Sequence, residues 1–464
     1  MAIAFGLTLV LVVAATLYRF QGLSLASGCL VCIMAGIVLG HPYWHQRIEP
    51  LPLPWTLDRL IWAGLIVSLA GLAWRRRVAW RQPGRTDLLV ILWGLVLVAS
   101  TALHDWRFQD NQPVSRLVFF NLMPIGFYFV GKHCRLEQRL LLVLYGLLTA
   151  FGLYLGLVGI AEQRGWSMLV WPGFILAPEN EEFLGRARGP LLNPVAMGIY
   201  LVICLAATAG LWRSGNRFFR GGLLVIAGCI LLCSFLTLTR SVWLSMAVAI
   251  GWICWLPATP RVRGGLVVAG TVGIVAGLLL FSDKVHKFQR DKHVSAAAMA
   301  ESATLRPMLT LVAWKMFCDK PIAGHGFGQY TAAKPLYHYS ETADMPLQKV
   351  LPYVQHNVFL SCMAETGLIG LVPLLALLVS ALLNSRRLWL SGELPWAERW
   401  FGVIVLCGVS AWIINGMFHD VSIIPHIGGM LFLLLGFQEN LKVRPRQPAP
   451  LVTTPSGDSA RQVA

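Results

Sequence analysis

One histidine of this sequence is placed where a side chain could move a proton at a membrane surface. His356 lies in Gln355-His356-Asn357, where a long polar stretch returns to an apolar one. An imidazole has a pKa near about 6.5 and can therefore accept a proton at neutral pH. A histidine at a water–lipid boundary is also typical of an interfacial hydrogen-bonding residue. Its position alone leaves both interpretations open.

Four arginines could hold an anion close to such a base. Arg186 and Arg188 lie in one glycine-flanked segment, Arg240 lies in a short turn between apolar runs, and Arg306 lies in a polar stretch. Guanidinium groups bind phosphates through paired hydrogen bonds, and an arginine close to hydrocarbon is costly unless it has a partner. For Arg186 and Arg188 the alternatives are anchoring to lipid headgroups or pairing with the nearby glutamates. For Arg240 the alternative is an interfacial anchor, and for Arg306 it is a solvated surface position.

Long apolar runs must position these residues. The chain has 464 residues, of which 56% are hydrophobic and 13% charged, and this composition excludes an ordinary soluble domain. About 20 apolar residues span a bilayer as a helix, and only helices or closed barrels satisfy their backbone there. We predict an all-α integral membrane protein with about 12 transmembrane helices (12 or 13), because the run 5–17 is short for a span. The clearest runs are 88–103, 140–160, 194–211, 221–238, 242–256, 264–281 and 367–383.

The net charge of +16 indicates orientation rather than nucleic-acid binding. Basic residues cluster in short loops that recur after an even number of spans, as the loops on the cytoplasmic side should. This rule places the segments 162–189, 239–241 and 281–356 together on the other side of the membrane. All of the candidate site residues named above therefore share one face or lie at its edge.

Composition divides the chain into four segments. We predict N-terminal transmembrane helices with short loops over 1–280, a large helical loop over 281–356, C-terminal transmembrane helices over 357–440 and a disordered cytoplasmic tail over 441–464. Within the loop, 296–317 has the spacing of an amphipathic helix, with Pro307 marking a break or the first turn of a second helix. Pro321–Tyr330 predicts a tight glycine turn, since it lacks the Lys-Ser/Thr pair of a phosphate loop. His338 is predicted to be a surface or substrate-contact residue.

Taken together, these residues resemble the O-antigen ligase and polymerase superfamily. The central motif is His356-Asn357, then nine residues, Gly367, two residues and Gly370. One departure concerns a motif of arginine, three residues and leucine, because Arg306 is followed at that spacing by threonine. Arg188 fits that spacing, but in a different loop. Further segments follow in the family's order: Arg186-Ala187-Arg188-Gly189, Thr239-Arg240-Ser241, Arg306, and Pro321 with Gly324-x-Gly326-x-Gly328.

The resemblance implies a GT-C-like glycosyltransferase of lipopolysaccharide biosynthesis in the bacterial inner membrane. Such an enzyme transfers O-antigen glycan from undecaprenyl diphosphate to lipid A–core oligosaccharide at the periplasmic face. The resemblance also implies that His356 is the general base. It implies that four arginines bind the diphosphate: Arg186, Arg188, Arg240 and Arg306. Supporting roles are implied for Asn357, His338, Gly367 and Gly370. No Asp-x-Asp pair occurs in the sequence, so we expect metal-independent transfer without a cofactor. We expect inversion, because no carboxylate stands out as a nucleophile for a glycosyl-enzyme intermediate.

Three alternatives remain at this stage. An O-antigen polymerase or a protein O-glycosyl ligase would use the same lipid-linked donor with a different acceptor. A polytopic transporter or flippase would also have many spans. The predicted spans have few ionisable residues and the candidate site residues gather on one face, which favours one-sided chemistry over alternating access.

Overall fold

The computed structural model describes residues 23–43, 47–48, 53–76, 78, 80–134, 136–180, 182–265, 296–339 and 346–442. The predicted run 5–17, nearly all of the run 264–281, the first part of the large loop and the C-terminal tail lie outside the described residues. The statements below concern the described residues.

The described chain is built of helices, and no strand occurs within it. Eight of its helices are long and apolar enough to cross a membrane, and two shorter apolar helices accompany them. The protein is therefore a multi-pass membrane protein. In chain order the α-helices are α1 (Leu23–Tyr43), α2 (Leu57–Trp74), α3 (Arg85–Ala102), α4 (Phe108–Leu117), α5 (Met123–His133), α6 (Gln138–Arg164), α7 (Pro194–Gly210), α8 (Arg217–Leu236), α9 (Arg240–Trp255), α10 (Ala296–Asp319), α11 (Tyr330–Ala333), α12 (Val358–Leu390), α13 (Trp396–Gly416) and α14 (Pro425–Lys442).

Helices α7 and α13 form the centre of the bundle. Both are buried along almost their whole length, as expected for helices that are apolar all round. Helices α6, α8 and α9 pack against α7, while α12 and α9 pack against α13. Helix α14 is also largely buried, whereas α2, α3 and α8 expose many apolar side chains, which is the pattern of a bundle whose outer surface faces lipid.

A buried ion pair lies at the end of the bundle opposite the large loop. Lys132 lies in the last turn of α5 and is only 1% exposed. Its Nζ lies 2.7 Å from Oδ2 of Asp87 on α3, and the Tyr128 hydroxyl donates to Oδ1 of the same carboxylate at 2.7 Å. A buried lysine is tolerated when such a partner is supplied. The pair therefore ties α3 to α5.

The large loop packs onto the bundle through α10. This helix continues to Asp319 and contains Pro307 within it, so the proline neither breaks it nor begins a second helix. One face of α10 is buried against the loop's own short helices and against α12. The residues of this cluster are Leu309, Val312, Ala313, Met316, Tyr330, Leu347, Val350 and Ala364.

Candidate functional site

Helix α12 is broken at Gly367, and the large loop completes the break. The backbone at Gly367 has φ 59° and ψ −155°, which interrupts the helical hydrogen bonds. The segment 321–326 lies against the break and replaces those bonds on both sides of it. Leu368 N donates to Pro321 O (2.9 Å), Ile369 N to Ile322 O (3.1 Å), His325 N to Ala364 O (3.0 Å) and Gly326 N to Glu365 O (2.8 Å).

This junction explains the glycines of the sequence motif. A Cβ on Gly367 would lie 2.5 Å from the carbonyl carbon of Ile322, and a Cβ on Gly324 would lie 2.5 Å from the carbonyl carbon of Glu365. Both glycines have positive φ, which favours glycine. The glycine turn predicted at 321–330 is therefore a backbone-to-backbone contact. Gly370 lies one turn later, where a Cβ would meet the Thr366 hydroxyl.

Asn357 fixes the start of the half-helix that precedes the break. Its Oδ1 accepts hydrogen bonds from Phe359 N (2.8 Å) and Leu360 N (3.1 Å), which makes it the N-cap of α12. Its Nδ2 donates to Met417 O at 2.9 Å, in the turn after α13. An asparagine N-cap contributes about 1 kcal/mol. The preceding residue, His356, is thereby held at the first turn of the half-helix.

His356 opens into a cavity of about 390 Å³ at this end of the bundle. Helix α10 supplies one wall with Arg306, and the turn after α13 supplies another. The structure therefore brings the candidate base and one candidate diphosphate ligand to the same cavity. The lining residues are Arg306, Pro307, Leu309, Thr310, Gln355, His356, Asn357, Leu360, Met417 and Phe418.

The surroundings favour a neutral imidazole at His356. Partial burial lowers its pKa, and the positive charge of Arg306 lowers it further, while Asp420 and Glu182 oppose the shift. The ring remains accessible from the cavity. Because its pKa falls below the ordinary value of about 6.5, the side chain is in the proton-accepting form at neutral pH.

The positive charge of Arg240 acts on Arg306. Burial lowers the pKa of Arg306, and the nearby charge of Arg240 lowers it further, so the N-terminus of α9 lies within electrostatic reach of α10. In the described chain, no carboxylate forms an ion pair with either arginine. A cation that lines the cavity, with a second cation within electrostatic reach, is suited to hold an anion with more than one negative charge.

The guanidinium of Arg188 is bound by oxygen atoms of the protein. It is 1% exposed, and its Nε lies 2.7 Å from Oε1 of Glu162 at the end of α6. Its other nitrogens donate to carbonyl oxygens of Ile175 (2.8 Å), Glu182 (2.5 Å) and Asn180. This arginine therefore holds the segment 162–189 in shape.

Arg186 lies in the same segment and is also buried. Its guanidinium is stacked over the ring of Phe183, with the Cζ atom 5.2 Å from the ring centroid. The neighbouring Ala187 N donates to Leu236 O at 3.0 Å, which joins this segment to the α8–α9 turn. The predicted outer segments around Arg186 and Arg240 therefore lie side by side.

His338 is not on the surface, so that part of its prediction is wrong. The side chain is 4% exposed, and its Nδ1 lies 2.7 Å from Lys334 O. It lies directly after the short helical turn Lys334–Tyr337. It does not line the cavity of His356.

An ion pair within the membrane helices was missed by the sequence analysis. Arg116 on α4 makes two contacts with Glu365 on α12, at 3.0 and 3.5 Å, and its Cζ lies 5.0 Å from the ring centroid of Phe327. The pair borders a second, largely apolar cavity between α3, α12 and α14. The available signal was a lone carboxylate in an apolar run, which requires a cationic or polar partner.

Comparison with known proteins gives one family match. Residues 223–375 match the family model described as O-antigen ligase, and no curated protein matches the chain. The matched segment contains Arg240, Arg306, His356 and both motif glycines of α12, whereas Arg186 and Arg188 precede it. The match supports membership of the O-antigen ligase superfamily, as the sequence motifs predicted.

Proposed function

We propose, from this superfamily membership, that the protein transfers O-antigen glycan from undecaprenyl diphosphate to lipid A–core oligosaccharide. The reaction would take place at the periplasmic face of the bacterial inner membrane, in a GT-C-like helical scaffold. The single observation that supports this proposal best is the shared cavity of His356 and Arg306. Such a cavity combines a proton acceptor with a cation, which are the two functions that this transfer needs.

In the proposed reaction, a hydroxyl oxygen of the acceptor sugar attacks the anomeric carbon of the donor glycan. His356 takes the hydroxyl proton as the new carbon–oxygen bond forms. The bond between the anomeric carbon and the diphosphate oxygen breaks, and its electron pair leaves with the diphosphate. Attack from the side opposite the leaving group inverts the anomeric configuration. General-base help of this kind is worth about 10² to 10⁴ in rate.

The arginines divide into two groups in this proposal. Arg240 and Arg306 would bind the diphosphate directly, because Arg306 lines the cavity, Arg240 lies within electrostatic reach of Arg306, and neither forms an ion pair in the described chain. Arg188 would act by holding its segment, since protein oxygens accept its hydrogen bonds. Arg186 lies beside it and remains a proposed diphosphate ligand. Guanidinium groups can stabilise the departing charge without a metal ion.

Donor binding and base strength would be coupled through Arg306. Before a donor binds, the charge of Arg306 lowers the pKa of His356. A diphosphate bound to Arg306 offsets that charge, and the proton affinity of the imidazole then rises. We therefore expect His356 to become a stronger base when the donor is in place.

The test is transfer by the purified protein in detergent. Donor glycan on undecaprenyl diphosphate is mixed with lipid A–core, and the product is detected by its shift on a gel. We expect transfer by the wild-type protein and its loss in His356→Ala, with donor binding retained. Appreciable transfer by His356→Ala would remove this residue as the base.

The acceptor separates the rival activities in the same assay. Transfer only to a second lipid-linked glycan would indicate a polymerase, and transfer only to a protein would indicate a protein ligase. Detergent micelles have no second compartment, so transfer within them cannot arise from transport. Absence of all transfer would contradict the proposed function.

A further inference from the structure

The cavity of His356 contains one buried polar atom with no partner. Gln355 lines this cavity and is 3% exposed. Its Oε1 is buried and accepts no hydrogen bond within the described part of the chain. An unsatisfied acceptor in such a position is unfavourable. The large loop has other buried polar atoms without partners, such as the Tyr330 hydroxyl and Nε2 of His338, but those side chains do not line the cavity.

Gln355 has a fixed relation to the candidate base. It directly precedes His356, and Asn357 ties the following turn to Met417. The cavity of about 390 Å³ is within the range of sites that enclose small ligands. An unpaired acceptor oxygen on a residue that lines the cavity can bind a ligand group that donates hydrogen, and sugar hydroxyls are such groups.

We propose that Gln355 binds a non-reacting hydroxyl of the acceptor sugar and thereby directs the reacting hydroxyl toward His356. This inference rests on the proposed function and names an acceptor-binding residue within the same cavity. The acceptor is favoured over the donor glycan because Gln355 adjoins the base, and the base must meet the acceptor hydroxyl. A site built to hydrogen-bond a hydroxyl discriminates strongly against an analogue that lacks it.

The first test measures KM for each substrate separately. Gln355→Met keeps the length of the side chain and removes its hydrogen-bonding oxygen. We expect KM for lipid A–core to rise roughly 10- to 100-fold, with KM for the donor unchanged. Gln348→Ala, at an exposed glutamine of the same loop, is the matched control and should leave both values unchanged. An altered donor KM with an unaltered acceptor KM would overturn the assignment.

The second test uses the wild-type protein and therefore does not depend on how the variant folds. A series of acceptors that each lack one hydroxyl of the terminal core sugar is compared with the complete acceptor. One deoxy position should raise KM by a factor similar to that of Gln355→Met, and the variant should no longer distinguish that analogue. If Gln355→Met and each deoxy acceptor raise KM independently, so that their factors multiply for every analogue, the proposed contact is refuted. Failure of the wild-type protein to transfer glycan at all would instead contradict the proposed function.

Discussion

Substitution of Gly367 by alanine tests whether the break in α12 holds the site together. The backbone there has φ 59° and ψ −155°, a region that is essentially restricted to glycine and costs other residues roughly 1–3 kcal/mol. The added Cβ would also lie 2.5 Å from the carbonyl carbon of Ile322. Relief of that contact displaces the loop segment whose carbonyls accept from Leu368 N and Ile369 N, and each such bond is worth about 1 kcal/mol net.

The combined effect is a loss of roughly 3–5 kcal/mol at the junction of loop and helix. We expect Gly367→Ala to lower the melting temperature in detergent and to abolish glycan transfer, because the half-helix that begins beside His356 loses its support. Gly146→Ala is the matched control, since a Cβ at that position on α6 meets no atom within 4 Å. It should be neutral or slightly stabilising. Wild-type melting and activity for Gly367→Ala would refute the importance of the break.

Three further predictions concern charge. Because burial and Arg306 lower the pKa of His356, the transfer rate at saturating acceptor and at donor concentrations well below KM should stay high down to a pH below about 6.5, since His356 then titrates without bound diphosphate. The rate should fall only as the imidazole becomes protonated. Arg306→Ala should move that acidic limb to higher pH, and an unmoved limb in a pH–rate profile would contradict the coupling. Arg240→Ala should weaken donor binding, measured by titration, without changing the melting temperature. Arg188→Ala should instead destabilise the protein by about 3–5 kcal/mol, measured by calorimetry, because it leaves the buried carboxylate of Glu162 unpaired. Transfer should survive treatment with a chelator, and activity that is lost and then restored by Mg²⁺ would overturn the metal-free mechanism.

Much of the architecture could be predicted from the sequence, because hydrocarbon imposes a simple length and composition on its helices. The spans around Leu140–Ile160 and Pro194–Leu211 correspond to α6 and α7 within a few residues. The distribution of arginine predicted that the outer segments share one face, and the hydrogen bond from Ala187 N to Leu236 O joins two of them. The span predicted to begin at Gly367 begins at Val358, because polar residues around Glu365 concealed its first two turns.

The details of the site depend on contacts between distant parts of the chain. The ion pair of Arg116 and Glu365 joins residues 249 positions apart, and a single sequence contains no record of that pairing. Arg186 and Arg188 look alike in sequence, but only the fold shows that carbonyl groups and Glu162 accept the hydrogen bonds of Arg188. The proximity of Arg306 to His356 likewise requires α10 to lie across the start of α12.

The hydrogen bonds between the large loop and the break in α12 are made by peptide groups alone. The four bonds use carbonyls and amides, and no side chain takes part in them. Amino-acid replacements elsewhere in the loop can therefore leave its alignment intact, provided that the glycines at the junction stay. This construction would allow new sugar specificities to evolve on the loop while the proton acceptor keeps its place.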